Sequence, residues 1–327
     1  MGYKFTFGIE DKPKFHSEVA IFTESLIEYL GKDDKICVVV CNNNKELSDD
    51  LKRIGKVYGS KLRFLFGSNF RHNILDYTNR SINPGMNKLE ALKQVSFYCK
   101  ENDMVIHIDS DLFLYKEFNR ECIPEKDTLS WNWIINDSIK NTKHRYPFFT
   151  FGDKKKRGIL IAELLEIMGC KREFIGGGVS GFFTGKTLKN KKFVDDCIRF
   201  AHLLHSVANI CGGEEHGFIK TNASDMPCYA LSLTYNDIDY DVKDIKEFTV
   251  DNISDKKIKK GSFYHYYHDI RDGLYGAFYK SKWYKQMYYE KNLLLDEDLD
   301  KYFENAVTDH EKYFFNLAIK ARNKINK

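Results

Sequence analysis

An open, mostly parallel α/β sheet with flanking helices and a helical C-terminal tail is the fold that these 327 residues predict. Three observations predict it. Apolar spacing in the first 115 residues switches back and forth between a strand period and a helix period, the mark of strands laid side by side with helices crossing over them. The run Met104-Val-Ile-His-Ile108 is strand-like and stops abruptly at Asp109 and Asp111, as a sheet-interior strand does at its carboxyl end. Towards the C-terminus, Phe303, Ala306, Tyr313, Leu317 and Ile319 return to helical spacing.

The elements follow in order. Tyr3–Ile9, rich in aromatic and β-branched residues, predicts the first strand. His16–Leu30 predicts a helix, with Val19, Phe22, Leu26, Tyr29 and Leu30 at helical spacing. Ile36–Cys41 is a short continuous apolar run, the pattern of a strand buried on both faces. Lys45–Tyr58 reads as a helix, Lys61–Phe66 as a strand, and Asn87–Lys100 as the helix leading into the strand that ends at Asp109. In the second half, glycine gathers at Gly176–Gly178 and Gly181, then at Gly212 and Gly213, around a helix at Phe193–Ala208. Residues 261–289 are dense in Tyr, Phe, Trp and His. No repeat or Pro-rich linker breaks the chain. One domain over residues 1–290 is expected, with 291–327 as a helical extension packed on it.

Composition narrows the function classes. A formal charge of +4 argues against nucleic acid as a partner. Lysine clusters such as Lys154–Arg157 and Lys256–Lys260 are solvated faces in the simplest reading. No apolar run approaches the roughly 20 residues of a membrane helix, and the N-terminus lacks a signal-peptide pattern. The eight cysteines are scattered, without a C-x-x-C pair, and read as reduced small hydrophobes. A cytoplasmic location is expected, with peripheral membrane association as its variant.

The Asp-Ser-Asp segment carries the chemistry. Residues i and i+2 of an extended segment share a side, so Asp109 and Asp111 are expected to aim at one point past the strand. Ligands of open α/β sheets bind at such ends, and Asn42 lies at another. Carboxylates are costly to bury alone; Mn²⁺ or Mg²⁺ relieves that cost and prefers oxygen ligands. A solvated turn is the plainer alternative.

Taken together, four features resemble a GT-A glycosyltransferase over most of residues 3–290. They are the Thr-Phe-Gly-Ile strand with the later Val-Val-Val-Cys-Asn-Asn, the helix opening Gly85-Met-Asn87-Lys88, the Asp109-Ser110-Asp111 motif, and the two glycine-rich segments Gly-Gly-Gly-Val-Ser-Gly and Gly-Gly-Glu214-Glu215. The resemblance implies metal-dependent transfer of a sugar from a nucleotide-diphosphate sugar to a hydroxyl on a carbohydrate-type acceptor. It implies donor contacts at Phe7, Gly8, Asn42, Arg80, Lys88 and Ser110, and acceptor contacts at Gly177, Gly178, Trp131 and Trp133. Asp109 and Asp111 become metal ligands, joined by His265 or His268. The segment Tyr264-His265-Tyr-Tyr-His268-Asp269 is similar to the His-x-x-His-Gly of bacterial and phage transferases, but Asp269 replaces the glycine. Which histidine serves is left open, with His268 preferred. Gly212-Gly213-Glu214-Glu215 resembles the Gly-Gly-Glu-Asp of β-1,4-galactosyltransferases, which makes Glu215 the general base of an inverting reaction and Glu214 a sugar-binding partner. A retaining transferase is the alternative. Less favoured are a haloacid-dehalogenase-type phosphohydrolase, whose Asp-x-Asp normally sits at the first strand, a sugar nucleotidyltransferase, whose glycine-rich phosphate loop is missing, and a non-catalytic carbohydrate-binding protein.

Overall fold

The computed structural model describes residues 1–68, 85–131, 169–170, 181–210, 225–244, 249–250, 261, 263–265, 292–306 and 309–327. In chain order the elements are β1 (Tyr3–Ile9), α1 (Pro13–Leu26), β2 (Lys35–Cys41), α2 (Asp49–Tyr58), β3 (Leu62–Gly67), α3 (Gly85–Tyr98), β4 (Met104–His107), β5 (Leu112–Leu114), β6 (Thr128–Trp131) and β7 (Gly181–Thr184). They continue with α4 (Gly185–Lys189), α5 (Lys191–Ile210), α6 (Asp225–Tyr235), β8 (Asp241–Asp244), β9 (Thr249–Val250), β10 (Phe263–His265), α7 (Leu299–Glu304) and α8 (Asp309–Ile325). The fold is mixed α/β, as the alternating periods predict. Its elements form two compact units, neither continuous in sequence: one joins Gly67–Ile108 to Pro124–Asp244, the other joins Gly2–Phe66 to Asp109–Ile123 and Ile245–Lys327.

In the second of these units the sheet order is β3-β2-β1. β1 and β2 run parallel, with Phe7 opposite Val38 and Gly8 opposite Val39. Both strands are buried almost throughout, which is why β2 reads as an unbroken apolar run. Helix α1 covers them through Phe22, whose ring packs on Phe5, Phe7 and Phe263. Each such ring contributes on the order of 2 kcal/mol by leaving water. A second sheet, ordered β5-β10-β9, brings late chain to early chain: β10 pairs antiparallel with β5. The tail is two helices, and α8 packs on α1. Lys324 of α8 binds both oxygens of the buried Glu24 on α1, at 2.8 and 2.9 Å, and Glu24 also accepts from the Tyr58 hydroxyl at 3.1 Å. The C-terminal helices therefore share a unit with the first strands.

One boundary shifts for a local reason. Helix α2 begins at Asp49, not Lys45, because Ser48 is its N-cap and its hydroxyl accepts from Leu51 N. The residues before it are held as a loop by Asn42, which accepts from Lys45 N and donates to the Glu46 carbonyl.

In the other unit the order is β4-β7-β6-β8. β7 runs antiparallel to both β4 and β6, while β6 and β8 are parallel. Phe183 of β7 packs between Phe193 of α5 and Tyr229 of α6. Gly185 opens α4 where its N–H donates 2.7 Å to the Asp103 carbonyl. A Cβ there would stand 1.8 Å from the Lys100 carbonyl oxygen, so only glycine fits beside the turn that leads into β4. Buried Asp127 takes hydrogen bonds from Thr184 N and the Thr187 hydroxyl. Five of the cysteines, Cys37, Cys41, Cys99, Cys197 and Cys228, are buried thiols, and no disulfide joins any of the described residues.

Candidate functional site

The strand leading to the acidic motif ends at His107, two residues before the expected stop. Ile108 and Asp109 have irregular backbone, Ser110 and Asp111 form a bend, and β5 follows at once. The alternation rule therefore stops short of the carboxylates, and a bend sets their directions. Asp109 is buried, with 8% of its surface exposed, while Asp111 is half-buried.

Helix α1 supplies what sequence reasoning missed. Glu18, 6% exposed, accepts a hydrogen bond of 2.5 Å at Oε2 from the Ser110 hydroxyl. Its other oxygen faces Lys14 Nζ at 3.6 Å, one helical turn away. Burial pushes the Glu18 carboxyl up to about 7; Lys14 and the Ser110 hydroxyl pull the other way, and the charge of Asp111 adds to the rise. Ser110 has one proton, and it is committed to Glu18; its lone pairs remain for other donors. A signal for Glu18 was present in the sequence. It falls three residues after Phe15 and four before Phe22, a carboxylate at core spacing on an apolar helix face.

The late histidine segment reaches the same corner. In the β5–β10 register, Phe263 lies opposite Leu114 and His265 opposite Leu112, the residue that follows Asp111. The His265 side chain lies outside the described residues, as does all of His268. Among the described residues, no three His, Cys, Asp or Glu side chains gather as a metal would require. Glu214, Glu215, Arg80, Gly177, Gly178 and Trp133 also lie outside them. Trp131 ends β6 with its backbone opposite Asp244 of β8, and its side chain is likewise outside the description.

The remaining donor-side residues have defined places. Phe7 is fully buried and packs edge-on against Phe22 at 5.2 Å, so its ring belongs to the core. Gly8, next along β1, is half-buried. Asn42 follows β2, with its amide engaged by its own loop at 2.7 and 3.0 Å. Lys88 is half-buried on α3, in the other unit.

A second polar cluster lies where β1, α1 and α2 meet. Buried His16 contacts Asp11 at 2.6 Å through Nε2 and Asp50 at 3.3 Å through Nδ1, and Ser48 Oγ stands 3.4 Å from the same Nε2. Ser, His and Asp in this order suggest a nucleophilic triad. Asp11, however, holds the nitrogen that would have to take the serine proton, and it also accepts from Ser48 N at 2.8 Å. Burial works against the charged form of Asp11, but the bonds from Ser48 and His16 outweigh it and keep its carboxyl below the usual range. The cluster is a brace: two carboxylates fix one imidazole.

No family model matches the chain, and no curated protein matches its sequence. Among solved structures it is similar to the galactosyltransferase LgtC in complex with donor and acceptor sugar analogues, at 9% identity and a TM-score of 0.49, over 99% of this chain and 100% of that one. An active-site mutant of LgtC gives 9% and 0.47 over 88% and 94%. The bifunctional glycosyltransferase WbbM, in its apo form, gives 13% and 0.47 over 97% of this chain and 51% of that one. All three scores fall below 0.5. No described helix is long and apolar enough to cross a membrane.

Proposed function

We propose that this protein is a metal-dependent glycosyltransferase that moves a sugar from a nucleotide-diphosphate sugar to a hydroxyl of a carbohydrate-type acceptor. The observation that carries the reading is the β5–β10 register, which sets the backbone of His265 beside the residue after Asp111. Residues more than 150 positions apart in sequence thus meet next to the bend that follows β4. Asp109 and Asp111 are hard oxygen donors suited to Mn²⁺ or Mg²⁺, and His265 or His268 would complete the set. The charge of Asp111 already burdens buried Glu18, so added positive charge suits this corner. When bound, the ion would supply charge neutralisation for the departing diphosphate.

The chain's own residues divide the remaining work. Arg80 and Lys88 would add fixed positive charge near the leaving group. Glu215 would take the proton of the acceptor hydroxyl as that oxygen bonds to the anomeric carbon and the bond from that carbon to the phosphate oxygen breaks. Attack from the face opposite the diphosphate inverts the anomeric centre. Glu214 would hydrogen-bond a sugar hydroxyl, Gly177 and Gly178 would let backbone approach the acceptor closely, and Trp131 and Trp133 would offer it an apolar platform.

The test is a screen of nucleotide sugars for donor consumption with Mn²⁺ or Mg²⁺, followed by NMR of the anomeric product. Consumption that stops with chelator, and a product inverted relative to the donor, are expected. No consumption of any donor, or turnover indifferent to chelator, would overturn the reading. Release of inorganic phosphate from simple phosphomonoesters would instead favour the phosphohydrolase.

A further inference from the structure

We infer that Glu18 is a positioning residue: its carboxylate holds the Ser110 hydroxyl and thereby fixes the backbone bend that carries Asp109 and Asp111. The inference rests on the reading of those two aspartates as metal ligands, and its test separates the two.

The geometry makes α1 a ruler for this segment. At one point Glu18 Oε2 accepts from Ser110 Oγ at 2.5 Å. Seven residues further along the helix, Ser25 Oγ accepts from Leu114 N at 3.0 Å while donating to the Phe22 carbonyl at 2.7 Å. Two helical turns, about 10 Å of rise, therefore pin both ends of the stretch from Ser110 to Leu114. The stretch between has two different duties. Leu112–Leu114 is strand and keeps its shape through the β10 ladder, but Ser110 and Asp111 form a bend outside any strand. For that bend, the pin from Glu18 replaces ladder bonds.

The pin is itself held. Glu18 is 6% exposed, its helix is buried from His16 to Leu26, and Lys14 Nζ sits 3.6 Å from the carboxylate oxygen that Ser110 does not use. At 2.5 Å the bond lies at the short end of the range for hydroxyl donors to oxygen. Outer partners that orient metal ligands are worth about 10–100-fold in metal affinity, and Glu18 acts one residue removed from each aspartate.

Two measurements on full-length Glu18→Gln, Glu18→Ala, Ser110→Ala and the Glu18→Ala/Ser110→Ala pair decide it. Amide hydrogen exchange in metal-free protein reads the bend, and Mn²⁺ titration followed by electron paramagnetic resonance reads the ligands. Glu18→Ala should speed exchange at residues 109–112 with protection elsewhere unchanged, and should weaken Mn²⁺ binding by about 10-fold. Glu18→Gln keeps an oxygen acceptor and should restore both readouts to near wild type. The double variant should bind Mn²⁺ no more weakly than the worse single one, because the two groups share one bond.

Unchanged exchange in Glu18→Ala overturns the inference. So does a Glu18→Gln variant as impaired as Glu18→Ala, which would mean that the negative charge, not the bond, matters. If wild-type protein binds no Mn²⁺ yet Glu18→Ala still loosens residues 109–112, the positioning role stands and the metal reading fails.

Discussion

Asp34 and Glu18 are buried carboxylates of the same compact unit, and they are treated in opposite ways. Asp34 is 3% exposed and receives three donors: Tyr3 N at 2.8 Å, Gly31 N at 2.7 Å and Arg120 at 2.6 Å. Burial acts to raise its pKa, but those bonds and the Arg120 charge win and hold it below the usual carboxylate range. Glu18 is nearly as buried, yet it has the Ser110 hydroxyl at 2.5 Å and a lysine at 3.6 Å, and burial pushes it up to about 7. The contrast separates a carboxylate that is part of the scaffold from one beside the acidic bend proposed above as the site. Where a group only has to hold the chain together, folding surrounds it with donors. Glu18, which also feels the charge of Asp111, is raised instead, and perturbed groups of this kind gather at functional sites.

The largest expected effect falls on the motif itself. Asp111→Asn keeps the volume of the side chain and removes the charge that the proposed metal would meet. Metal-dependent donor turnover should fall by about 10²–10³-fold, the scale of losing one preorganised electrostatic group, while the thermal midpoint stays near wild type. Steady-state kinetics beside a melting curve checks both halves. Turnover close to wild type would mean that this corner is not where charge is handled.

Next comes the scaffold carboxylate. Asp34→Ala strands two part-buried backbone N–H groups and the Arg120 guanidinium. It should cost about 2–4 kcal/mol in denaturant unfolding, since each stranded donor costs on the order of 1–3 kcal/mol and the half-exposed arginine regains water. Donor turnover per folded molecule should be unchanged. A loss under about 0.5 kcal/mol would erase the distinction drawn above.

Asp34 also has a pH signature. Its folded pKa is lowered from 3.8, so the unfolded chain takes up the proton first as pH falls. Its contribution is complete above the unfolded pKa and disappears as pH drops through the folded one. Asp34→Asn should therefore cost about 1–2 kcal/mol near neutrality and flatten the fall in stability on the acid side of pH 4. Urea titrations across that range check the slope.

How much of this was legible in the sequence follows from the range of the forces. Periodicity is local, so β1, α1, β2 and α5 sit within a few residues of where apolar spacing puts them. Some ends are marked by side-chain bonds that spacing does not show: α2 starts late because Ser48 caps it, and β4 ends at His107, before the bend where Ser110 bonds Glu18. Asp109 and Asp111 announced themselves because two charges end an apolar run. Glu18 was marked only as a carboxylate at core spacing, because its meaning lies in Ser110, 92 positions away. Phe7 entered as a donor contact through the resemblance alone, and its ring packs on Phe22 in the core, a direction that only the packing of α1 decides. Pairing of β10 with β5 is likewise long-range, and a dense aromatic segment suggests a core strand without saying which strand it meets.

The smallest expected effect is the sharpest form of the comparison: Glu18→Gln, the same carboxylate-to-amide change as Asp34→Asn with the opposite sign. With chelator present, stability reports the metal-free chain. Glu18 has a folded pKa of about 7 against 4.5 when free, so the folded state holds its proton to higher pH than the unfolded state does. Its contribution is fully present below about 4.5 and is lost as pH rises through about 7. The amide does not titrate, keeps an acceptor for Ser110 and gives up the Lys14 ion pair at 3.6 Å. Glu18→Gln should therefore match wild type at the acid end. Above neutrality it should gain on the order of 1 kcal/mol, because a costly buried charge is gone and the weak pair with it. Paired unfolding curves at about pH 4 and about pH 8 read the difference. A loss at the higher pH, parallel to that of Asp34→Asn, would show that Glu18 is an ordinary satisfied carboxylate and that the two regions do not differ in kind.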